Sequence, residues 1–267
     1  MITSSSSSFL CASVWFSTTV LLAGCGKAAE GAAVPTTPPP ASQTVAVTTA
    51  EAEPAPAAPR VTAVKSVNAG ECPASGLIDD AEDGDGRVLS ADKRGGYWYT
   101  YTDKVGTTIT PTGSFSMAPG GAEGSKFAAH MSGKLAASGI VYAGMGFSFA
   151  DPRAAYDVSC CKGVRFWAKK SGAGSGGVRV KVGDANTTPD GGVCRDCYND
   201  FGAELKFTDS WQKYELTFAD LKQEFGWGNT FSALDVAHLY QLQWQVRDSG
   251  ADFDISIDKV ELTGCAK

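Results

Sequence analysis

The residues best suited to chemistry in this 267-residue chain are amides, aromatic rings and carboxylates rather than nucleophiles. Gln241, Gln243, Gln245 and Arg247 recur at every second position. A glutamine amide both donates and accepts hydrogen bonds, which suits a ligand dense in hydroxyls better than a face needing only solubility. Flat aromatic faces complement such amides by covering the apolar C–H surface of a sugar ring. The candidate platforms are Trp98, Tyr99, Tyr101, Trp167 and Trp227, whereas Trp211 and Trp244 fall in a core phase and read as packing. Trp227 follows Phe225-Gly226 in a loop, and Asp184 and Asp190 flank a glycine-rich loop placed to rim a cleft. A catalytic set is harder to assemble. The chain has two histidines, His130 and His238, and no Gly-x-Ser-x-Gly, His-Glu-x-x-His or phosphate loop. Carboxylates are plentiful, so composition alone does not exclude a two-carboxylate glycosidase. The acidic run Asp79-Asp80-Ala81-Glu82-Asp83-Gly84-Asp85 invites a calcium reading, since Ca²⁺ takes several oxygen ligands. As an EF-hand loop it fails: Ala81 stands at the third position and Ser90 at the twelfth, removing a ligand and the bidentate Glu.

The elements that position these residues have a period of two almost throughout. Tyr97, Tyr99 and Tyr101 alternate with Trp98, Thr100 and Thr102; either set is able to face a core. Val164, Phe166 and Ala168 alternate with Arg165, Trp167 and Lys169, and Val178, Val180 and Val182 with Arg179 and Lys181. Leu242, Trp244 and Val246 alternate with the glutamines, and Phe253, Ile255 and Ile257 with Asp254, Ser256 and Asp258. Each pattern is an apolar-in, polar-out strand of an antiparallel sheet. Glycine-rich connections separate them, and only Phe218 to Phe225 reads as a short helical turn. The expected fold is all-β, an antiparallel two-sheet sandwich.

The N-terminal part has a different character. Phe9 to Gly24 is apolar or small, and too short for a comfortable bilayer span of about 20 residues. Leu21-Leu22-Ala23-Gly24-Cys25 resembles the bacterial lipobox, in which cleavage precedes a cysteine that receives a lipid. Residues 1–24 are therefore expected to be a signal peptide and Cys25 the lipidated residue. Gly26 follows it, rather than an Asp signalling inner-membrane retention. Residues 25–70 are rich in Ala, Pro and Thr and nearly free of large apolar side chains, so they read as a disordered, proline-stiffened tether. Residues 71–267 are the folded domain. The protein is expected to be exported and lipid-anchored to the cell envelope, at the outer membrane or cell surface. The formal net charge of −6 and the lack of a basic stripe interleaved with aromatics argue against nucleic acid. Six cysteines remain in the domain, Cys72, Cys160, Cys161, Cys194, Cys197 and Cys265, and an even number in an exported domain reads as disulfides. Cys72 and Cys265 bracket the domain and are expected to pair, leaving Cys160-Cys161 to pair with Cys194 and Cys197. A zinc site from those last four is the alternative.

The order of the strand signals also resembles a known group. Leu77-Ile78-Asp79-Asp80-Ala81-Glu82-Asp83-Gly84 is similar to the opening strand of galactose-binding-like jelly rolls, and Gly163 to Lys169 to their mid-sheet strand. Trp211 to Phe218, followed by Leu221 and Trp227-Gly228, is similar to the strand and loop that come next. Phe253 to Leu262 is similar to the closing strand. Together they resemble a family 11 carbohydrate-binding module over nearly all of Cys72 to Cys265. The resemblance implies a jelly roll that binds polysaccharide or envelope glycan without catalysis, as a monomer. It also implies a structural Ca²⁺ held by Glu82 and Asp258 with backbone carbonyls. The competing readings are a structural or protein-interaction envelope lipoprotein with no sugar site, and a small glycan-active hydrolase or a subunit of one.

Overall fold

The computed structural model describes residues 63–172, 174 and 176–266; the signal segment, Cys25 and most of the tether lie outside them. The described strands are β1 (Leu77–Asp79), β2 (Trp98–Thr102), β3 (Thr108–Thr110), β4 (Ala118–Pro119), β5 (Phe127–Lys134), β6 (Ala143–Ser148), β7 (Gly163–Lys170), β8 (Gly177–Asp184), β9 (Phe201–Lys206), β10 (Gln212–Thr217), β11 (Leu239–Val246) and β12 (Asp252–Thr263). They form two antiparallel sheets. One runs β10-β7-β12-β5-β3, with β1 paired to β12 and β4 to β5; the other runs β2-β6-β11-β8-β9. Helical structure among the described residues is confined to two 3₁₀ turns, Pro189–Gly191 and Phe218–Asp220. The expected all-β, jelly-roll sandwich is what forms.

The alternation read from the sequence fixes which side of each strand is dry. Val178, Val180 and Val182 are buried, as are Leu242, Trp244 and Val246 from the neighbouring strand and Val164, Phe166 and Ala168 from the facing sheet. Trp244 is at the centre of this layer. It stacks on Trp98 (centroids 5.6 Å apart, planes at 11°) and meets the edge of Phe166 from the other sheet at 5.3 Å. Trp98, a candidate ligand platform in the sequence, is thus a core residue, and the Tyr97-Tyr99-Tyr101 set faces outward. Trp211 departs from expectation in the opposite direction. It is half-buried on the outside of the first sheet, with Lys169 Nζ 4.9 Å from its ring centroid.

The folded unit takes in residues upstream of 71. Ser66 and Asn68 are buried: Ser66 Oγ donates to the Ala237 carbonyl, and Asn68 Nδ2 to the Asp157 carbonyl at 2.9 Å, while Asp157 N donates back to Asn68 Oδ1 at 2.7 Å.

The cysteine pairing differs from the bracketing argument. Cys72 bonds Cys160, Cys161 bonds Cys265, and Cys194 bonds Cys197. Strand β1, just after Cys72, lies beside β12, just before Cys265. Both ends of the domain therefore reach the vicinal pair, which lies in the turn before β7, and each cysteine of the pair takes one end. With all six cysteines in disulfides, the zinc alternative also falls.

Asp79 on β1 places a carboxyl directly against the core. Its Oδ2 accepts from Trp98 Nε1 and its Oδ1 from Ala81 N at 2.9 Å. Burial pushes its carboxyl up to about 7, more than those two hydrogen bonds pull it down. A carboxyl raised in the folded state stabilises most below its unfolded value near 4 and loses that contribution as pH rises through 7. Chemical denaturation between pH 5 and 8 should therefore show falling stability. Asp79→Asn, which does not titrate and keeps an acceptor for Trp98, should remove that decline, on the order of a few kcal/mol across the window.

Candidate functional site

The outer face of the β2-β6-β11-β8-β9 sheet gathers most of the candidate residues. Its rows run across the strands. Tyr99 lies opposite Gly146, which faces Gln243, then Lys181, then Gly202; the next row is Tyr101, Gly144, Gln245, Arg179 and Glu204. With strands about 4.8 Å apart, the five span a face about 19 Å wide.

Tyrosines form the β2 side of this face. Tyr97, Tyr99, Tyr101 and Tyr142 follow one another at centroid spacings of 6.2, 6.3 and 6.2 Å, with rings tilted or edge-on. The glycines of β6 let them lie down. A Cβ on Gly144 would sit 2.3 Å from Tyr101 Cζ, so the ring covers ground that any side chain there would occupy. A Cβ on Gly146 would come within 2.7 Å of Gln243 Cγ. Burial raises the pKa of the Tyr99 and Tyr101 phenols, so both keep their proton and remain donors.

The glutamines form the floor and are held in place. Gln241 is 2% exposed; its Oε1 accepts from Tyr99 Oη (2.9 Å) and from Arg153, and its Nε2 donates to Asp200 at 3.4 Å. Gln243 Nε2 donates to the same Tyr99 Oη at 2.9 Å. Gln241 therefore serves to orient Tyr99 and Arg153, while Gln245 is half-buried and Arg247 exposed. Buried charges on this face are paired, as they must be to escape the desolvation penalty. Lys181 faces Asp200 at 3.4 Å, Arg179 faces Glu204 at 3.4 Å, and Arg153 bonds Asp190 at 2.8 Å. Arg247 bridges Glu204 and Glu224, and Trp227 Nε1 donates to Glu224 at 3.2 Å. Burial raises the Glu224 carboxyl, but the Arg247 hydrogen bond and charge outweigh it and hold it below the usual range.

The fold thus brings Tyr99, Tyr101, Gln241, Gln243, Gln245, Arg247 and Trp227 together. It places Trp98 beneath them and Trp167 on the outside of the opposite sheet, where Lys213 Nζ lies 4.9 Å from its ring centroid. Asp190 reaches the rim through Arg153, whereas Asp184 is buried in its own turn, accepting from Thr187 N and Asp235 N. Sequence reading missed Arg153 and Asp200, because their roles depend on loops folding back over the sheet. Tyr198, 56% exposed, and Tyr97, 38% exposed, were also missed as rim aromatics.

Glu82 and Asp258 lie apart from this face and converge on one turn. Glu82 Oε1 accepts from Ser125 Oγ, Lys126 N and Phe127 N at 2.7, 2.6 and 3.2 Å; Asp258 Oδ2 accepts from Ala122 N at 2.7 Å. The β12–β7 register breaks between Asp258 and Glu261, where Lys259 takes φ 48°, and this bulge turns Asp258 toward the turn. A Cβ on Gly121 would lie 2.3 Å from the Phe127 carbonyl oxygen and 2.7 Å from Asp258 Oδ2, so only glycine leaves that space open. Asp258 Oδ2 and the Phe127 carbonyl border that space, and Glu82 is bound to the same turn through Ser125, Lys126 and Phe127; carboxylate and carbonyl oxygens are the donors Ca²⁺ takes. Among the described residues no third acidic, His or Cys side chain joins them, so backbone oxygens would complete the shell.

No protein-family model and no curated protein matches the sequence. Solved structures do. The chain is similar to the family 11 carbohydrate-binding module of the cellulosomal cellulase Lic26A-Cel5E of Clostridium thermocellum, at 14% identity and a TM-score of 0.51, covering 74% of this chain and 98% of that one. It is also similar to the family 11 module from the same organism in complex with a β-1,3-1,4-mixed-linked tetrasaccharide (15% identity, TM-score 0.48, 64% and 90% of the chains). A family 30 carbohydrate-binding module is similar at 12% identity and a TM-score of 0.47, over 70% and 96% of the chains. At this identity the shared property is the fold, the jelly-roll sandwich of carbohydrate-binding modules.

Proposed function

We propose that this protein binds glycan without catalysis, on the outer face of the β2-β6-β11-β8-β9 sheet. One fold serves many functions, so the reading has to rest on the face. The observation that carries it is the tyrosine row beside fixed amides on a glycine-cleared strand. Ring faces for C–H surfaces and amides for hydroxyls are what a pyranose chain needs. Glu224 on this face is set up for binding rather than for acid catalysis. A glycosidase acid needs a raised pKa, and Glu224 has a lowered one, locked to Arg247. The N-terminal sequence supports export and attachment through a lipid on Cys25, which would hold the glycan-binding head at the cell envelope. Mass spectrometry of membrane-extracted protein should find an acylated N-terminal Cys25; an unmodified mature N-terminus at another residue would refute the anchor.

The binding reading is tested by a glycan array followed by titration. Affinity should rise with chain length as more of the face is covered. Each amide–hydroxyl bond contributes about 0.5–1.5 kcal/mol net, so Gln243→Ala combined with Gln245→Ala should weaken binding about ten- to a hundredfold. If β-glucan, α-glucan, xylan and galactan all fail to bind, the protein-interaction reading replaces this one.

We further propose that Glu82 and Asp258 hold a structural Ca²⁺ together with backbone oxygens of the 121–127 turn. A ligand that binds only the folded state stabilises it by about 2.7 kcal/mol at a hundredfold excess over Kd. EDTA should lower the melting temperature of the wild type, and Asp258→Ala should abolish that response. An EDTA-insensitive protein with no metal by elemental analysis would leave the two carboxylates as plain anchors of the turn.

A further inference from the structure

We propose that Tyr198 and Trp227 form the gripping edge of the glycan face, and that the Cys194–Cys197 disulfide loop is the clip that sets both rings. This rests on the glycan-binding reading of that face.

Tyr198 is 56% exposed and has φ +74°, a left-handed conformation that an aromatic residue rarely adopts and that Gly or Asn would adopt at less cost. The surroundings impose it from both sides. Its N–H donates to the Thr187 carbonyl at 2.7 Å, and its carbonyl accepts from Lys181 Nζ, on the floor of the face, at 3.1 Å. The backbone is pinned while the ring is left in solvent. Strain of this kind at a rim, spent on presenting an aromatic side chain, is a mark of a ligand-gripping position.

The next residue ties Tyr198 to Trp227. Asn199 is buried, and its amide is given over to the other loop. Nδ2 donates to the carbonyls of Glu224 and Trp227 at 2.9 and 2.7 Å, and Oδ1 accepts from Glu224 N at 3.0 Å. Gly228 abuts it so closely that a Cβ there would come within 2.7 Å of Asn199 Cβ. Trp227 is itself 45% exposed between Gly226 and Gly228, whose φ values are 90° and 68°.

The disulfide loop supplies the second link. Arg195 and Asp196, the two residues between the cysteines, turn their N–H groups onto Asn229 Oδ1 at 2.7 and 3.1 Å, and Asn229 N donates to the Asp196 carbonyl at 3.0 Å. Two adjacent N–H groups on one acceptor require a tight turn, which the cross-link closes. Its cysteines are only three residues apart, against separations of 88 and 104 for the other two disulfides. A cross-link that short removes little entropy from the unfolded chain, so its effect is local shape rather than global stability. Rings fixed before the ligand arrives avoid an ordering cost on binding. Arg153, Arg179, Lys181 and Arg247 each already face a carboxylate, so the chemistry that suits this edge is an uncharged pyranose chain.

The test is titration of the purified full-length protein with a neutral glycan selected by the array. Tyr198→Ala should weaken binding about tenfold, the scale of a strong interface residue, whereas Tyr198→Phe should bind as wild type. Cys194→Ser with Cys197→Ser should weaken binding to a similar degree, with a smaller fall in melting temperature than removal of either long-range disulfide causes. Asn229→Ala, which keeps the cross-link and removes the acceptor, should do the same. If the wild type binds while Tyr198→Ala, the serine pair and Asn229→Ala bind equally well, this inference is wrong and the glycan reading stands. A wild type that binds no glycan overturns both.

Discussion

The stack of Trp98 on Trp244 sets the phase of the two strands it joins, and with it the composition of the face above them. In a strand the side chains alternate strictly, so committing one residue to the core commits its neighbours to the outside. Once Trp98 lies on Trp244 in the interior, Tyr97, Tyr99 and Tyr101 have to emerge on the outer face of β2, and Gln241, Gln243 and Gln245 on that of β11. A one-residue slip of either strand would bury the amides and expose the indoles. Asp79 reinforces the choice from below by accepting the Trp98 N–H, which holds that indole in the only position where its polar end is satisfied. The composition of this outer face is therefore a consequence of the core.

What the core cannot do is shape the face once the residues are there. That depends on β6, which contributes almost no side chains to it. Gly144 and Gly146 leave a trough between β2 and β11, into which Tyr101 and Gln243 lean. The polar layer is crowded: among the described residues Tyr101 Oη and Asp200 Oδ1 are buried without a hydrogen-bond partner, as are Arg94 Nε and the core Trp244 Nε1. An unmatched buried polar atom costs on the order of 1–3 kcal/mol.

The strands rich in branched or aromatic residues were legible in the sequence because period and propensity agree there, as at Val178–Val182 and Leu242–Val246. Strands β5 and β6 were not, since Ala, Gly and Met carry little strand preference and no clear alternation of polarity. The same gap hid part of the site. The Gln row and the tyrosines could be found from their spacing, but the meaning of Gly144 and Gly146 appears only when Tyr101 is seen lying across one of them. Phase also could not be settled where both sets of residues are apolar enough to be buried, which is why Trp98 read as a platform. Trp211 misled for a related reason: it precedes β10 in the opposite phase to Tyr214, and its burial comes from Lys169 across the strand rather than from the core. Trp167 and Lys213 repeat that arrangement two register positions along, so both tryptophans are covered by a neighbour's side chain on the outside of the sheet.

The disulfides divide along the same line between scaffold and face. The expected Cys72–Cys265 bond does not form: β1 and β12 run side by side, but each terminal cysteine bonds one member of the vicinal pair instead. A vicinal pair between the ends lets each end be fastened separately to Cys160-Cys161, so that neither terminal strand depends on the other's cross-link. These two bonds close long loops, and their effect falls on the stability of the whole sandwich. The third closes almost none of the chain. Its neighbours are Tyr198, Asn199 and, through Asn229, the Trp227 loop, all on the rim of the polar face. The sandwich core ends at β9 and β10, and the loops that rise above it have few apolar contacts of their own to hold them. A short cross-link and one buried asparagine supply there part of the ordering that hydrophobic packing provides in the sandwich, and they fix the shape of this rim.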